Sequence, residues 1–314
     1  MKLHTQITLN AAETQFGYED SVLLLGSCFA ENIGEQLMYH KFQTTVNPFG
    51  ILFHPLAIER VLQDAHTDKT YDESSVFEID GIWKSFIAHS RLNALTQGAT
   101  LDKLRSAQQV LKKSIQDASH IFITLGTAWV YQDIASGMPV ANCHKVPQKA
   151  FVKGLMPVEQ IAASLQRQRD IISQMNPKAQ VIFTVSPVRH LKDGMIENSR
   201  SKAHLIAAVH SLVNGNDTLY FPAYELMIDE LRDYRFYASD MLHPSEQAIQ
   251  YIWQRFVEVF AFAKAQSTLK EIAVIQAGLS HRPFNGGSKE HQSFLQKLRA
   301  SIEAVQKKYP HIQF

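Results

Sequence analysis

The chain contains two cysteines, and one of them, Cys28, lies in a turn that is suited to nucleophilic chemistry. The stretch LLLGSCFAENIGEQL, at residues 23–37, passes from an apolar run through Gly26 and Ser27 into a helix-like segment. The first turn of a helix exposes unpaired N–H groups and a partial positive charge, which favour a thiolate over a thiol. A cysteine is also a better nucleophile than a hydroxyl near neutral pH. The alternative is that Cys28 is a small buried hydrophobic residue behind the turn.

Three further groups of polar residues follow apolar runs or precede a helix-like segment. In an open parallel sheet, ligands bind outside the carboxyl ends of the strands. We therefore expect these groups to meet Cys28 in one crevice. The groups are GTAW at residues 126–129, SPVRH at 186–190, and ASDMLHPS at 238–245.

Four short apolar runs predict the buried parallel strands that would hold these groups in place. Candidate helices lie between the runs, with apolar residues recurring at spacings of three and four. Strands that alternate with helices predict an α/β fold with a parallel sheet covered on both faces. The strands are expected at residues 22–25, 121–125, 181–185 and 218–221, and the helices at about 29–42, 101–118, 157–175 and 199–212.

Two further segments lie outside this alternation. Residues 76–92, which include WKSFIAHS, alternate well enough to form an extra strand or hairpin. Beyond about residue 267 the pattern predicts a polar loop and then a charged helix at about 288–309. We interpret this tail as a C-terminal helical appendage, so that the domains are residues 1–266 and 267–314.

Composition excludes several classes of function. The 314 residues are 45% hydrophobic and 19% charged, which is enough for a sizeable globular core. The 31 basic and 30 acidic side chains nearly cancel, so nucleic acid is not an expected partner. No apolar stretch approaches the roughly 20 residues that cross a bilayer, and the N-terminus lacks a secretory apolar core. We therefore expect a cytoplasmic protein with free thiols and no membrane partner.

Six stretches of the sequence are distinctive when they are taken in order. They are GSCFA at residues 26–30, NPFGIL at 47–52, TLGTAWVY at 124–131, CHKVP at 143–147, SPVRH at 186–190 and FYASDMLHPS at 236–245. Together they resemble the GSCFA family, a branch of the SGNH/GDSL hydrolase superfamily, over about residues 23–260. The resemblance implies a three-layer α/β/α sandwich of the SGNH/flavodoxin-like type. It also implies a nucleophile in a Gly-Asp-Ser-Leu turn and a terminal Asp-x-x-His pair.

The resemblance implies catalytic roles for four residues. Without gaps, Ser27 takes the place of the aspartate in the superfamily turn, and Cys28 takes the place of the nucleophilic serine. Asp240 would orient the imidazole of His243, which acts as the base for the nucleophile and then protonates the leaving group. A second interpretation shifts the register by one and makes Ser27 the nucleophile. Taken alone, Asp240 would be interpreted as a turn carboxylate and His243 as a surface imidazole.

The oxyanion hole departs from the superfamily pattern, which uses the nucleophile's N–H, a glycine N–H and an asparagine side chain. Gly50 would supply the glycine, but the third block, GTA, has no asparagine at the matching place. The hydroxyl of Thr127, or an amide from Asn47 or Asn142, would have to substitute. The alternative is that Asn47 and Thr127 only cap turns.

Asn142, His144 and Arg189 are the candidates for binding the polar groups of a substrate. Arginine offers a planar fork of donors that suits a carboxylate. His144 stands next to Cys143, but a lone Cys-His pair has too few ligands for zinc. No metal and no cofactor is therefore expected.

The leading hypothesis is an SGNH-like hydrolase or acyltransferase that acts on an acyl ester through a covalent acyl-enzyme. A small-molecule or glycan ester is the expected substrate, the latter by analogy with the superfamily. The competing hypothesis is a non-catalytic module that binds a small molecule or carbohydrate on a degenerate fold. A Cys28 sulfur or Ser27 oxygen within hydrogen-bond reach of His243 would favour the enzyme, and neither in reach would favour binding.

Overall fold

The computed structural model describes residues 5–215, 217–285 and 287–314. The strands are β1 (Ser21–Gly26), β2 (Gln43–Val46), β3 (Phe77–Ile79), β4 (Ile82–Lys84), β5 (Ala118–Leu125), β6 (Trp129–Asp133), β7 (Pro139–Val140), β8 (Phe151–Leu155), β9 (Gln180–Val185) and β10 (Thr218–Phe221). The helices are α1 (Cys28–Tyr39), α2 (Pro55–His66), α3 (Gln97–Asp117), α4 (Val158–Met175), α5 (Met195–His210), α6 (Ala223–Glu225, continued by a π-helical segment at Leu226–Glu230), α7 (Glu246–Phe260), α8 (Ala263–Ser280) and α9 (Lys289–Lys308).

The central sheet has, within the described residues, five parallel strands in the order β10-β9-β5-β1-β2. Gly26 of β1 lies opposite Thr124 of β5, and Leu125 of β5 lies opposite Val185 of β9. The carboxyl ends of these three strands are therefore level. The turns that follow them meet at one edge of the sheet, where ligands bind in folds of this kind.

Both faces of the sheet are buried, because successive side chains of a strand point to opposite faces. Leu23 and Leu25 pack into a core with α2, α3, α4 and α5. Val22 and Leu24 pack into a second core with α1, α7, α8 and α9. Helices thus cover the sheet on both sides, which confirms the predicted three-layer α/β/α sandwich.

The predicted strands and helices of the central fold are present, with ends that differ by a few residues. The predicted hairpin within residues 76–92 is also present, as the antiparallel pair β3 and β4. The edge strand β2 was not predicted, and neither was the small antiparallel sheet in which β6 lies between β7 and β8. Strand β2 extends the central sheet beyond β1, and the small sheet begins just after the carboxyl end of β5.

The C-terminal segment differs from the expectation in one respect. The predicted polar loop beyond about residue 267 is wrong, because α8 continues to Ser280 and the loop follows it. The charged helix is present as α9. The predicted boundary between residues 266 and 267 falls inside α8. Among the described helices, none is long and apolar enough to cross a membrane.

Candidate functional site

At Gly26, where β1 ends and the turn begins, the backbone conformation and the space are ones that only glycine accommodates. Gly26 has φ +122°, and a Cβ there would lie 2.0 Å from the carbonyl oxygen of Thr124. The Gly26 N–H donates to Asn47 Oδ1 at 2.8 Å, which fixes the turn. Ser27 follows as the N-cap of α1. Its fully buried hydroxyl accepts from the Phe29 N–H at 3.3 Å.

Cys28 is the first residue of α1 and is partly exposed. Burial raises the pKa of its thiol, and the Glu31 carboxylate adds to this effect. The ammonium group of Lys202 and the backbone N–H groups of Cys28 and Phe29 act in the opposite direction. The net shift of the pKa is upward. The expectation that the helix end makes Cys28 a ready thiolate is therefore wrong, because desolvation outweighs the helix end.

Lys202 is a residue of this site that the sequence analysis missed. It lies on α5 with 1% of its surface exposed, and its Nζ donates to the carbonyl oxygens of Gly126 at 2.8 Å and Ser186 at 2.7 Å. Burial lowers its pKa to about 7, although the neighbouring Cys28 raises it. Both carbonyls directly follow strands of the central sheet. The amine is therefore held at the carboxyl edge, close to the thiol.

Asp240 and His243 form the pair that the Asp-x-x-His pattern implies. His243 Nδ1 lies 2.6 Å from Asp240 Oδ2, and Asp240 Oδ1 accepts from the backbone N–H groups of Leu242 and His243 at 2.9 and 3.0 Å. These N–H groups, with the imidazole, lower the pKa of Asp240 to about 2. Because Nδ1–H donates to the carboxylate, Nε2 is left as the basic nitrogen.

The two halves of the predicted catalytic group are not joined in this structure. Within the described residues, no hydrogen bond connects His243 to Cys28 Sγ or to Ser27 Oγ. The side chains of Asp240 and His243 are about half-exposed, at 46% and 49%. The imidazole is therefore accessible to solvent.

His190 lies beside Gly126, within range of the charges of Lys202 and His243, and was not assigned a role from the sequence. Its ring packs edge-on against Phe53 at 5.1 Å, and its Nε2 would lie 3.2 Å from a Cβ placed on Gly126. Burial, with smaller effects of Lys202 and His243, lowers the pKa of His190 to about 3. The ring is therefore neutral near pH 7. No described residue forms a hydrogen bond with its buried Nε2.

The three predicted oxyanion residues lie in turns at the same edge. The Gly50 N–H donates to the Asn47 carbonyl at 2.7 Å, and the Thr127 hydroxyl accepts from the Trp129 N–H at 3.0 Å. Thr127 Oγ1 is also 3.1 Å from Ser201 Oγ. The N–H of Gly50 and the oxygen of Thr127 are thus used to hold turns. Asn47 Nδ2 is buried and has no hydrogen-bond partner among the described residues. Their roles at an oxyanion stay a prediction.

The structure separates the three predicted substrate-binding residues. His144 is buried, with Nε2 at 2.6 Å from the Ser85 carbonyl oxygen and 3.1 Å from that of Ala88, and Asn142 Oδ1 accepts from the His144 N–H. These contacts correct the expectation that His144 binds substrate, because its ring is used to hold the chain that follows β4. Asn142 caps the same turn.

Arg189 differs from the other two, because its guanidinium lies at the edge of the crevice. Its Nε is 3.4 Å from the hydroxyl of Tyr237, and the guanidinium is 5.9 Å from the centre of that ring. Arg189 forms no ion pair with a carboxylate in the described part of the chain. It is therefore available to a ligand.

Two family models match this sequence. The model described as the GSCFA family matches residues 21–256, and the model described as the GSCFA domain protein, C-terminal domain, matches residues 272–314. No curated protein matches the chain.

Among solved structures, two esterases illustrate the similarity. A carbohydrate esterase family 3 protein from Talaromyces cellulolyticus shares 10% identity with a TM-score of 0.39, over 80% of this chain and 99% of that chain. An acetyl xylan esterase from the rumen bacterium Butyrivibrio proteoclasticus shares 11% identity with a TM-score of 0.41, over 77% of this chain and 63% of that chain.

Proposed function

We propose that this chain, which belongs to the GSCFA family, is a cysteine-dependent ester hydrolase or acyltransferase with Cys28 as its nucleophile. The observation that carries the proposal is the buried ammonium of Lys202 beside a thiol at a helix N-terminus. A buried amine without a carboxylate partner is unfavourable for folding. Perturbed groups of this kind cluster at functional sites, where a negative charge develops during the reaction.

In the proposed reaction the proton of the Cys28 thiol passes through His243 to the departing alcohol, and a proton of the second acceptor later restores the thiol. His243 Nε2 removes this proton while the sulfur attacks the carbonyl carbon of the ester, and the carbonyl electron pair moves to oxygen. When that pair returns, the carbon–oxygen bond of the alcohol breaks, and the departing oxygen takes the proton from His243. Water or a second hydroxyl then attacks the thioester by the same route and restores the thiol. Asp240 stabilises the imidazolium in both halves of the reaction.

In this proposal the oxyanion is stabilised by hydrogen-bond donors that take the role of the asparagine in the superfamily pattern. Lys202 uses two of its N–H groups on carbonyl oxygens, so a third is available to an oxyanion. The backbone N–H of Cys28 is a second donor at the helix end. The position of the asparagine is taken by Ala128, which is buried and contributes no side-chain donor.

The second candidate function is a binding module without catalysis. It is favoured by the absence of a hydrogen bond between Cys28 and His243 in the described residues, which is the outcome expected for a binding site. We rank it second because catalytic hydrogen bonds are often long without substrate and shorten in the complex. The half-exposed His243 side chain has the freedom that such closure needs.

The test is to incubate the protein with a panel of aryl and sugar esters and to measure its intact mass. The wild type and Cys143→Ala, the matched thiol control, should gain the mass of the acyl group, and Cys28→Ala should not. An adduct on Ser27 in Cys28→Ala would indicate that Ser27, and not Cys28, is the nucleophile. No adduct and no turnover with any ester would reject catalysis and leave the binding module.

A further inference from the structure

A cleft of about 430 Å³ reaches Asp240, the hydrogen-bond partner of His243, and has mainly apolar walls. It lies between the loop after β9, the π-helical segment after α6, and the loop that carries Asp240. Its polar side is formed by Arg189, Arg232, Asp233 and Asp240. Its apolar wall is formed by Leu191, Met195, Met227, Ile228, Met241 and Leu242.

Large apolar side chains of this cleft are open to solvent. Tyr234 is 76% exposed, Met195 is 58% exposed and Met241 is 50% exposed. Exposed apolar side chains that cluster around one concavity are typical of a binding site, whereas single ones occur on any protein surface. Methionine side chains are flexible and polarizable, so they adapt to ligands of different shape.

The backbone at Met241 supports the same conclusion. Its φ is +60°, in the left-handed region that a residue with a side chain seldom adopts. The turn that imposes this conformation is held by Asp240, which accepts from the N–H groups of the two residues that follow Met241. Backbone strain of this kind clusters at ligand clamps and active sites.

The cleft lies at a distance from the nucleophile that restricts what can reach it. Cys28 follows β1, and Arg189 follows β9, which is two strands away in the sheet. Adjacent strands are about 4.8 Å apart, so the separation is on the order of 10 Å. An acetyl group on Cys28 would not extend that far, whereas a longer chain would.

We infer that this cleft holds a medium-length aliphatic chain of the ester on which the site acts. The inference rests on the proposed function for the reaction, but the cleft itself binds such a chain whether or not the ester is cleaved. The chain belongs either to the acyl group or to the alcohol. The guanidinium of Arg189, which has no carboxylate partner among the described residues, would meet the polar end of the ligand where the chain leaves the cleft.

Binding is tested first, without any need for turnover. The chain has eight methionines, which can be labelled with ¹³C at the methyl group and followed by NMR. Sodium octanoate and octanol should shift the signals of Met195 and Met241, whereas sodium acetate should not. Met38 and Met138, each 46% exposed elsewhere on the surface, are the controls and should not shift. Equal shifts at all four methionines, or none, would overturn the inference.

Turnover is tested with a variant that makes the wall polar. Met195 is the first residue of α5, where a carboxylate is well tolerated, so Met195→Glu should fold. The ratio of kcat/KM for octanoyl and acetyl esters should fall about tenfold or more in Met195→Glu. Met195→Leu and Met38→Glu should both keep the wild-type ratio. If this ratio is unchanged in Met195→Glu, the acyl chain does not bind in the cleft.

The same variants with acetate esters of octanol and ethanol test the alcohol as the source of the chain. A loss confined to the octanol ester assigns the cleft to the leaving group. Turnover without chain-length dependence in either series, together with no methyl shift, overturns the inference and leaves the proposed function standing. Methyl shifts without turnover of any ester overturn the proposed function and leave the binding site.

Discussion

Lys202 is the residue whose charge is most affected by the fold. A lysine in water holds its proton until about pH 10.4, whereas burial in this site lowers the pKa of Lys202 to about 7. The unfolded chain therefore binds one more proton than the folded chain between these two values. The free energy of unfolding therefore rises with pH across this window, because the buried amine of Lys202 loses its unfavourable charge in the folded state.

We predict that the free energy of unfolding of the wild type rises by about 2 kcal/mol more between pH 7 and pH 9 than that of Lys202→Met. The measurement is urea unfolding of both proteins at the two pH values. Lys270→Met, at an exposed position on α8, is the control and should follow the wild type. Parallel pH profiles for the wild type and Lys202→Met would show that folding does not shift the pKa of Lys202.

The second prediction at the residue scale concerns the order of two substitutions. On an ester that the wild type hydrolyses, His243→Ala should lower kcat by 10² to 10⁴-fold, since a positioned base contributes about this much. Asp240→Asn should lower kcat less, because the amide still contacts the ring but stabilises the imidazolium poorly. Both side chains are half-exposed, so neither change should affect stability greatly.

Steady-state kinetics and thermal unfolding of the same samples decide this point. His281→Ala, a change at an exposed histidine outside the site, should have wild-type kcat. If a well-folded His243→Ala protein kept full activity, the imidazole would have no part in the reaction.

The sequence was informative about some residues of the site and silent about others, for a physical reason. Cys28, Asp240 and His243 stand in short local motifs that the family resemblance singles out, and their catalytic roles stay a prediction. Lys202 was not identified, because a lysine within a helical pattern is normally interpreted as exposed. Its amine is held by two carbonyl oxygens, those of Gly126 and Ser186, that follow different strands, and only the assembled sheet brings them together.

At the scale of elements, the start of α1 determines which of two neighbouring side chains can react. Ser27 is fully buried, and its hydroxyl caps the helix, whereas Cys28 is partly exposed. Ser27→Ala should therefore lower the free energy of unfolding by about 1 kcal/mol and leave the acyl adduct on Cys28 intact. Chemical unfolding and intact mass are the two measurements.

Thr96→Ala provides a matched control for this substitution. Thr96 caps α3 through the Ala99 N–H at 3.2 Å, and its loss should cost about the same stability. If Ser27→Ala abolished the adduct while Thr96→Ala did not, Ser27 would take part in the reaction.

Strand β2 and helix α8 were not predicted because both have a weak hydrophobic pattern in the sequence. The edge strand β2 reads QTTV, with one strongly apolar residue, because an edge strand is covered on fewer sides. In α8 the residues that face the core include the small Ala265 and Thr268 as well as Ile272 and Ile275. Small residues let a helix approach closely, but they contribute little to a hydrophobic pattern. The central strands were predictable because both of their faces are buried.

At the scale of the whole molecule, the C-terminal hairpin of α8 and α9 continues the core of one sheet face. Tyr309 packs 4.9 Å from Tyr18, which in turn stacks on Phe42 at 4.3 Å. The Lys308 ammonium donates to the Thr268 hydroxyl at 2.8 Å and joins the two helices. These contacts lie near the amino ends of the strands, whereas the candidate site lies at the carboxyl ends. A strand of six residues separates the two regions by roughly 20 Å.

We predict that the hairpin and the sheet unfold in one cooperative transition, although separate family models match the two parts. Trp253 reports the core that the hairpin shares, and Trp129 donates its indole N–H to the Glu197 carbonyl of α5, a helix of the other core. Single-tryptophan variants can therefore be compared with far-UV circular dichroism. All three signals should have the same urea midpoint.

Tyr309→Ala tests the coupling directly. Tyr309 is 6% exposed, and its truncation should lower the free energy of unfolding by about 3 kcal/mol and move the midpoints of Trp253 and Trp129 fluorescence together. Phe284→Ala, at a fully exposed position in the loop of the hairpin, should leave both midpoints unchanged. Under native conditions Cys28 should be alkylated at the wild-type rate in both variants, because the packing defect is at the opposite end of the strands. A loss of helical signal that precedes both fluorescence transitions would instead make residues 267–314 an independent unit.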